Sequence, residues 1–267
     1  KAASAPPANN PVSLTFCTLA SGSKGNCIYV SSGEQAVLID CGLSARETIR
    51  RLEARGLSPH NVKAIIITHE HSDHVRGVRV LSKRLRIPAL ATEATWAAAK
   101  DTDAVRHVPM SAGRALEMAG IKVHPFSVPH DAADPVGLVL SVGGVSLGVA
   151  TDLGAPTRLV RQRLSGCAAL VLEHNHDATM LAEGSYPPWL KQRVRSAQGH
   201  LSNDQGAELL AELAHQGLKQ VVLAHLSEQN NRPELARQAA QERLSGCGSD
   251  AGLWVASQEQ SSDVFSI

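Results

Sequence analysis

The chain has 267 residues, 43% of them apolar but only 3% aromatic, and its 26 Lys and Arg nearly balance 25 Asp and Glu. That length suits a large core built from Ala, Val, Leu and Ile, and the balanced charge excludes a global field for polyanions, leaving any nucleic-acid contact to local patches. With no apolar run near the roughly 20 residues of a membrane span, no apolar centre of a secretory signal in residues 1–11 and five scattered cysteines without a C-x-x-C pair, the composition predicts a reducing, cytoplasmic setting without membrane contact, disulfide framework or cysteine zinc site.

Residues 1–11, rich in Ala, Pro, Ser and Asn, read as a flexible tail ahead of one domain over 12–267. Apolar alternation and short apolar runs predict strands over 12–20, 27–30, 36–40 and 62–68, with Ser/Gly turns between the first three. A helix is expected over 44–55, opened by a Ser44 and Glu47 capping box, closed by Gly56 and burying Ile49 and Leu52. Further strands are expected at 121–128, 136–142, 145–151, 168–173, 219–224 and 253–257. Helices fall between them. One opens with the Ser202 and Gln205 capping box, carries an apolar stripe of Ala207, Leu210, Ala211 and Ala214, and ends at Gly217; a last helix spans 233–243. A meander followed by strands alternating with helices implies sheets carrying helices on their outer faces.

The densest chemistry is Thr68-His69-Glu70-His71-Ser72-Asp73-His74, which directly follows an apolar strand. Imidazole and carboxylate ligands suit zinc and its first-row neighbours, and a tight loop lets alternate residues grip one ion while the next pair reaches another. A plainer account makes Asp73 the cap of a helix containing Val75, Val78 and Leu81. Downstream, His130, Asp152 and His225 each follow an apolar strand; taken singly, the histidines could be hydrogen-bonded strand ends and Asp152 a cap for a helix at Pro156. The spacing differs from the H-E-x-x-H of helical zinc proteases.

In their order along the chain these pieces resemble the metallo-β-lactamase superfamily, which implies an α/β fold, a four-layer αββα sandwich. The resemblance implies two divalent metal ions, zinc or manganese: His69, His71 and His130 on one, Asp73, His74 and His225 on the other, and Asp152 bridging, with Asp73 counted among the catalytic residues as well. Asp40, before Gly42, matches an aspartate that steadies the histidine loop, although a turn aspartate is nearly as good an account.

Further phrases are similar to the YycJ (WalJ, VicX) group: Leu19 to Asn26, His130 to Gly137, Asn175-His176-Asp177, Gly199 to Asn203 and His225 to Asn231. That group is viewed as metal-dependent nucleases or phosphodiesterases, DNA exonucleases above all, in which a metal-bridging hydroxide attacks phosphorus. His174 and Lys24 depart from the group's usual small residues. The span from Glu173 to His200 is similar to ribonuclease Z, which implies His200 as general acid oriented by Glu173; His200 is equally readable as the residue ahead of the Ser202 cap.

Ser23, Lys24 and Asn26 in the small-residue loop, with His176 and Asn203, complete the candidates for supporting the metals or touching substrate, while a hairpin turn accounts equally for the loop. Basic residues cluster at 76–86, 158–163 and 191–195, the last beside Tyr186 and Trp189, which could stack a base. The expected partner is nucleic acid or another phosphodiester. A carbon-substrate hydrolase (β-lactamase, lactonase or thioesterase) and a non-catalytic metal-containing regulator are the rival readings.

Overall fold

The computed structural model describes residues 13–267, so the expected tail and the first expected strand residue lie outside the described part. β1 (Leu14–Ala20), β2 (Cys27–Ser32) and β3 (Gln35–Ile39) form an antiparallel meander. Helix α1 (Ala45–Ala54) crosses over to β4 (Val62–Ile66), which pairs parallel with β3. After α2 (Ser72–Val75) and α3 (Val78–Leu85) come β5 (Ala89–Ala91), α4 (Glu93–Ala98) and β6 (His107–Pro109), both strands parallel additions to the same edge.

The second sheet begins with β7 (Leu116–Met118), β8 (Ile121–Ser127), β9 (Val136–Val142) and β10 (Val145–Ala150), all antiparallel neighbours. It continues through α5 (Arg158–Leu164), β11 (Ala169–Glu173), α6 (Ala178–Glu183), α7 (Pro188–Arg195), α8 (Asn203–Leu213), β12 (Gln220–Ala224), α9 (Pro233–Gly246) and β13 (Gly252–Val255), with β10 to β13 mutually parallel. The closing strand β14 (Phe265–Ser266) returns to pair with β1 in the first sheet.

Three apolar layers define the architecture. Leu14, Phe16, Val37 and Ile66 of one sheet meet Val123, Leu138, Val149 and Val171 of the other. On the outer face of the first sheet, Leu38 and Ile65 pack on Ile49, Leu52, Val78 and Leu81 of the helices. On that of the second, Leu170, Leu172 and Leu223 pack on Leu164, Leu210 and Ala240. The sandwich is therefore αββα. Central strands covered on both faces carry apolar residues in both registers, which is why the sequence shows them as runs more than as alternation. No helix among the described residues is long and apolar enough to cross a membrane.

Two expected details differ. Ser44 accepts from the Glu47 amide, but the Glu47 carboxylate turns to Arg50 and Arg51, so the capping box at α1 is only half formed, unlike the complete one at Ser202 and Gln205. Helix α8 stops at Leu213, ahead of Gly217. The strands β5, β6, β7 and β14 were absent from the sequence reading because two or three residues carry no measurable period.

Arg51 ties the meander, α1 and the C-terminal segment together: its guanidinium donates to the carbonyls of Leu19 and Gln258 and to Glu47, with the side chain only 8% exposed. Removing it strands buried carbonyls, so Arg51→Ala is expected to lower unfolding free energy by about 2–4 kcal/mol. Urea denaturation of the two proteins checks this; a change under about 0.5 kcal/mol would refute the clamp.

Candidate metal centre

The loops after β3, β4, β8, β10 and β12 gather the candidate side chains on one rim of the sandwich, because these strands run in a common direction in their sheets. Asp40, Asp152 and His225 follow β3, β10 and β12 with φ of 59°, 55° and 59°, the left-handed region. There the chain breaks from the strand at once. Asp and His tolerate that conformation better than most residues, but it carries strain that packing must hold.

The supporting contacts begin at Asp40, which is buried. Its Oδ1 accepts from the Thr68 amide at 2.8 Å, and its Oδ2 from the Thr68 hydroxyl at 2.9 Å and His74 Nδ1 at 2.8 Å. Gly42 lets the two loops touch, since a Cβ there would lie 1.6 Å from the Asp73 carbonyl oxygen. His130 Nδ1 donates to the Gly199 carbonyl at 3.1 Å. Glu173, fully buried at the end of β11, accepts on Oε1 from His200 Nδ1 at 2.8 Å and His225 Nδ1 at 3.0 Å, and on Oε2 from the Leu153 and Leu201 amides. Each bond engages one ring nitrogen and leaves Nε2 for the cleft, the arrangement that prepares imidazole to bind a cation.

On the cleft side the donors converge. His69, His71 and His130 bring ligand atoms within 4.8 Å of one another, as do Asp73, His74 and His225, and also His69, His74 and Asp152. Asp152 Oδ2 lies 3.3 Å from His74 Nε2, and its Oδ1 lies 3.5 Å from His225 Nδ1. Nε2 of His69 and His225 and Oδ2 of Asp152 are buried without hydrogen-bond partners. Unpaired polar atoms this deep are unfavourable unless a ligand satisfies them, so the residues fit the divalent metal that their chemistry selects.

Titration behaviour follows from the same packing. Burial pushes His69 well below the usual imidazole range, helped by neighbouring His74. For His74 burial works the same way, but Asp152 and Asp40 outweigh it and hold the pKa well above that range. His225, buried yet beside Asp152, Asp73 and Glu173, is raised to about 10. Burial would raise Glu173, but His200 and His225 bring it down to about 2. The carboxylates thus favour the protonated forms of His74 and His225, and a cation bound there would compete with those protons.

The other candidates take different places. Ser23 lines a cavity of about 220 Å³ over the cluster, together with Asn175, Tyr186, Arg193, His200 and Ser227. Asn26 abuts the donor atoms themselves, its amide 3.2 Å from Asp73 Oδ2 and 3.0 Å from His74 Nε2. Lys24 pairs with Glu228 at 2.8 Å on the exposed rim. His176 and Asn203 do not line the cavity: His176 is 2% exposed, and the Asn203 amide binds Asn231. Supporting the metals or touching substrate was expected of them, and their positions place neither on the cavity wall. His174, which departs from the group's usual small residue, is buried beside Gly206, whose absent side chain makes room for the ring, and burial lowers its pKa to about 4. The Asp152 cap at Pro156 is also absent, since Thr157 caps α5. Gly199 escaped the sequence reading as a support because its contribution is a carbonyl, which carries no residue-type signal.

Residues 35–226 match the family model of the Beta-lactamase superfamily domain. The chain is 36% identical over 245 residues to exodeoxyribonuclease YycJ of Bacillus anthracis, covering 90% of this chain and 92% of that protein. It is 32% identical to exodeoxyribonuclease WalJ of Streptococcus pneumoniae, covering 96% and 99%. Among solved structures, the metallo-β-lactamase fold protein YhfI of Bacillus subtilis superimposes with a TM-score of 0.72 at 14% identity, over 96% of this chain and all (100%) of that one. Zn(2+)-bound PqqB of Methylobacterium extorquens gives 0.68 at 20% identity, over 95% and 99%. These two likenesses establish the fold.

Gly199 offers a test of the supporting shell. A Cβ there would lie 2.2 Å from the Val194 carbonyl oxygen and 2.3 Å from that of Arg193, so Gly199→Ala must shift the turn that holds His130. Metal affinity is expected to fall by about 10- to 100-fold, read by competition with a chromogenic chelator. Wild-type affinity would mean that the carbonyl does not orient the ring.

Proposed function

The chain belongs to the metallo-β-lactamase superfamily, in the group of the YycJ and WalJ proteins, and from that membership and the geometry of its rim we infer that it is a metal-dependent phosphodiesterase acting as a nuclease, with DNA as its substrate. The observation that carries the reading is the pair of donor sets meeting at Asp152, with His200, held from behind by the buried Glu173, lining the cavity beside them.

In this reading His69, His71 and His130 hold one divalent ion, Asp73, His74 and His225 hold a second, and Asp152 contributes to both. When bound, two such ions, zinc or manganese, would supply a reactive water and would neutralise charge on the phosphoryl oxygens. Asp40 keeps the lone pair of His74 Nε2 turned inward, and Gly199 does so for His130. Asp73 is steadied by the Asn26 amide, which restricts its carboxylate to the cleft side.

Glu173 fixes His200 with Nδ1–H toward the carboxylate, so Nε2 is the atom that holds a proton for the departing oxygen. At 20% exposure the His200 side chain is open to the cavity and can exchange that proton with solvent. Three supports, two carboxylates and one backbone carbonyl, therefore orient every histidine that this reading uses in binding or proton transfer except those of the 69–71 loop.

One preparation assayed with zinc or manganese against 5′-phosphorylated DNA, RNA, bis(p-nitrophenyl) phosphate, a β-lactam and a thioester tests the proposal. Turnover is expected on DNA and the phosphodiester, abolished by EDTA and in Asp152→Ala, with reduced metal content in the variant. Turnover on the thioester or β-lactam alone would overturn it, and full activity of Asp152→Ala would remove the shared-ligand arrangement.

His200→Ala is expected to slow DNA cleavage by about 10²- to 10⁴-fold while slowing bis(p-nitrophenyl) phosphate far less, because p-nitrophenolate leaves without a proton. Equal losses on both substrates would reject the proton-donor role.

A further inference from the structure

One wall of the cavity is built unlike the rest. Helix α7 buries none of its residues, and Trp189 on it is 65% exposed although Trp is usually drawn inward. Tyr186 and Leu190 face the cavity from the same segment. From Gly184 to Asn203 the chain contains Lys191, Arg193 and Arg195 but no acidic residue. Lys191 is tied to the Ala182 carbonyl, while Arg195 has no carboxylate partner among the described residues. Arg193, 53% exposed, meets Asp131 at 2.5 Å and lines the cavity.

Other cations near the rim are already engaged. Lys24 pairs with Glu228, and Arg76 donates to the Gly42 and Lys24 carbonyls. The α7 lip is also fixed to the centre: His200 N donates to the Val194 carbonyl, Asp131 N to that of Gln198, and His130 Nδ1 to that of Gly199. A strand held on this lip would therefore stand in a set relation to the reacting phosphate.

Resting on the nuclease reading, we propose that the α7 lip is the nucleic-acid grip of this protein: Tyr186 and Trp189 stack on bases flanking the scissile bond, and Arg193 and Arg195 meet backbone phosphates. A half-buried Tyr186 and an exposed Trp189, followed by two arginines on an acid-free segment, suit a flexible strand, because every base offers a π-face and every nucleotide a charge. An apolar protein partner would leave Arg195 to be desolvated without a counter-charge, which disfavours it.

The test measures anisotropy of a fluorescent single-stranded oligodeoxynucleotide in EDTA, where binding proceeds without cleavage. Wild type is compared with Tyr186→Ala/Trp189→Ala and with Arg193→Gln/Arg195→Gln, and bound metal per chain is measured on separate metal-loaded samples. Each double variant is expected to bind at least about tenfold more weakly with metal content retained. The arginine variant is also expected to reduce the slope of log affinity against log salt by about 1.4.

Unchanged binding in both variants would overturn the grip. So would joint loss of binding and metal in both, which would reduce the lip to a prop for Asp131 and His130. Cleavage of the same oligonucleotide by wild type with manganese separates the two proposals: binding without cleavage leaves the grip and removes the nuclease reading, cleavage with unaltered variant binding removes the grip alone, and neither binding nor cleavage removes both.

Discussion

The Glu173 carboxylate is the interaction on which the rim depends. With no exposure to solvent it accepts from two imidazoles and two backbone amides, joining the ends of β10, β11 and β12 to the turn before α8. A buried carboxylate is unfavourable unless its lone pairs are filled, and here four donors from three chain segments fill them. His225 and His200 consequently take their orientation from a single group. Loss of that group would leave two ring N–H groups and two amides facing an apolar interior.

A second constraint is that the centre spans the sandwich. Asp40, His69, His71, Asp73 and His74 come from loops of the first sheet, and His130, Asp152, Glu173 and His225 from the second. Their approach depends on the apolar layer between the sheets, so core packing and metal-site geometry are the same problem seen at two depths. The left-handed residues at the three strand ends and the glycine contact at Gly42 are the local means by which loops come close enough. Strain at those points is held by bonds such as that from the His225 amide to the Ser21 hydroxyl, which reaches across 204 residues.

Function rests on what surrounds this centre. A fold of this type hosts many hydrolases, so the substrate must be read from the proposed proton donor and the cavity wall. Here the Glu173 and His200 pair suits a leaving oxygen that needs a proton, and the acid-free lip with its exposed Trp189 suits a polyanionic strand. Balanced global charge is compatible with such a partner because Lys191, Arg193 and Arg195 lie on a segment without acidic residues and act locally.

The order of apolar strands and the residues that follow them, His69 to His74, His130, Asp152 and His225, was legible in the sequence because strand periodicity and ligand chemistry are local properties of residue type. The αββα expectation came from the same order together with the family resemblance. Several things were not legible: the short edge strands, the inward burial of His174 and His176, the diversion of Glu47 from its cap to Arg51, and the carbonyl of Gly199 as a support. Backbone carbonyls look alike in every sequence, and whether a histidine faces a cleft or a helix depends on a neighbour such as Gly206, dozens of residues away. The sequence by itself determined which donors are available and at which strand ends; only the tertiary structure decided which nitrogen of each ring is engaged, which atoms remain unpaired, and that α7 forms one wall of the cavity, because those depend on distances between segments that the chain brings together only by folding.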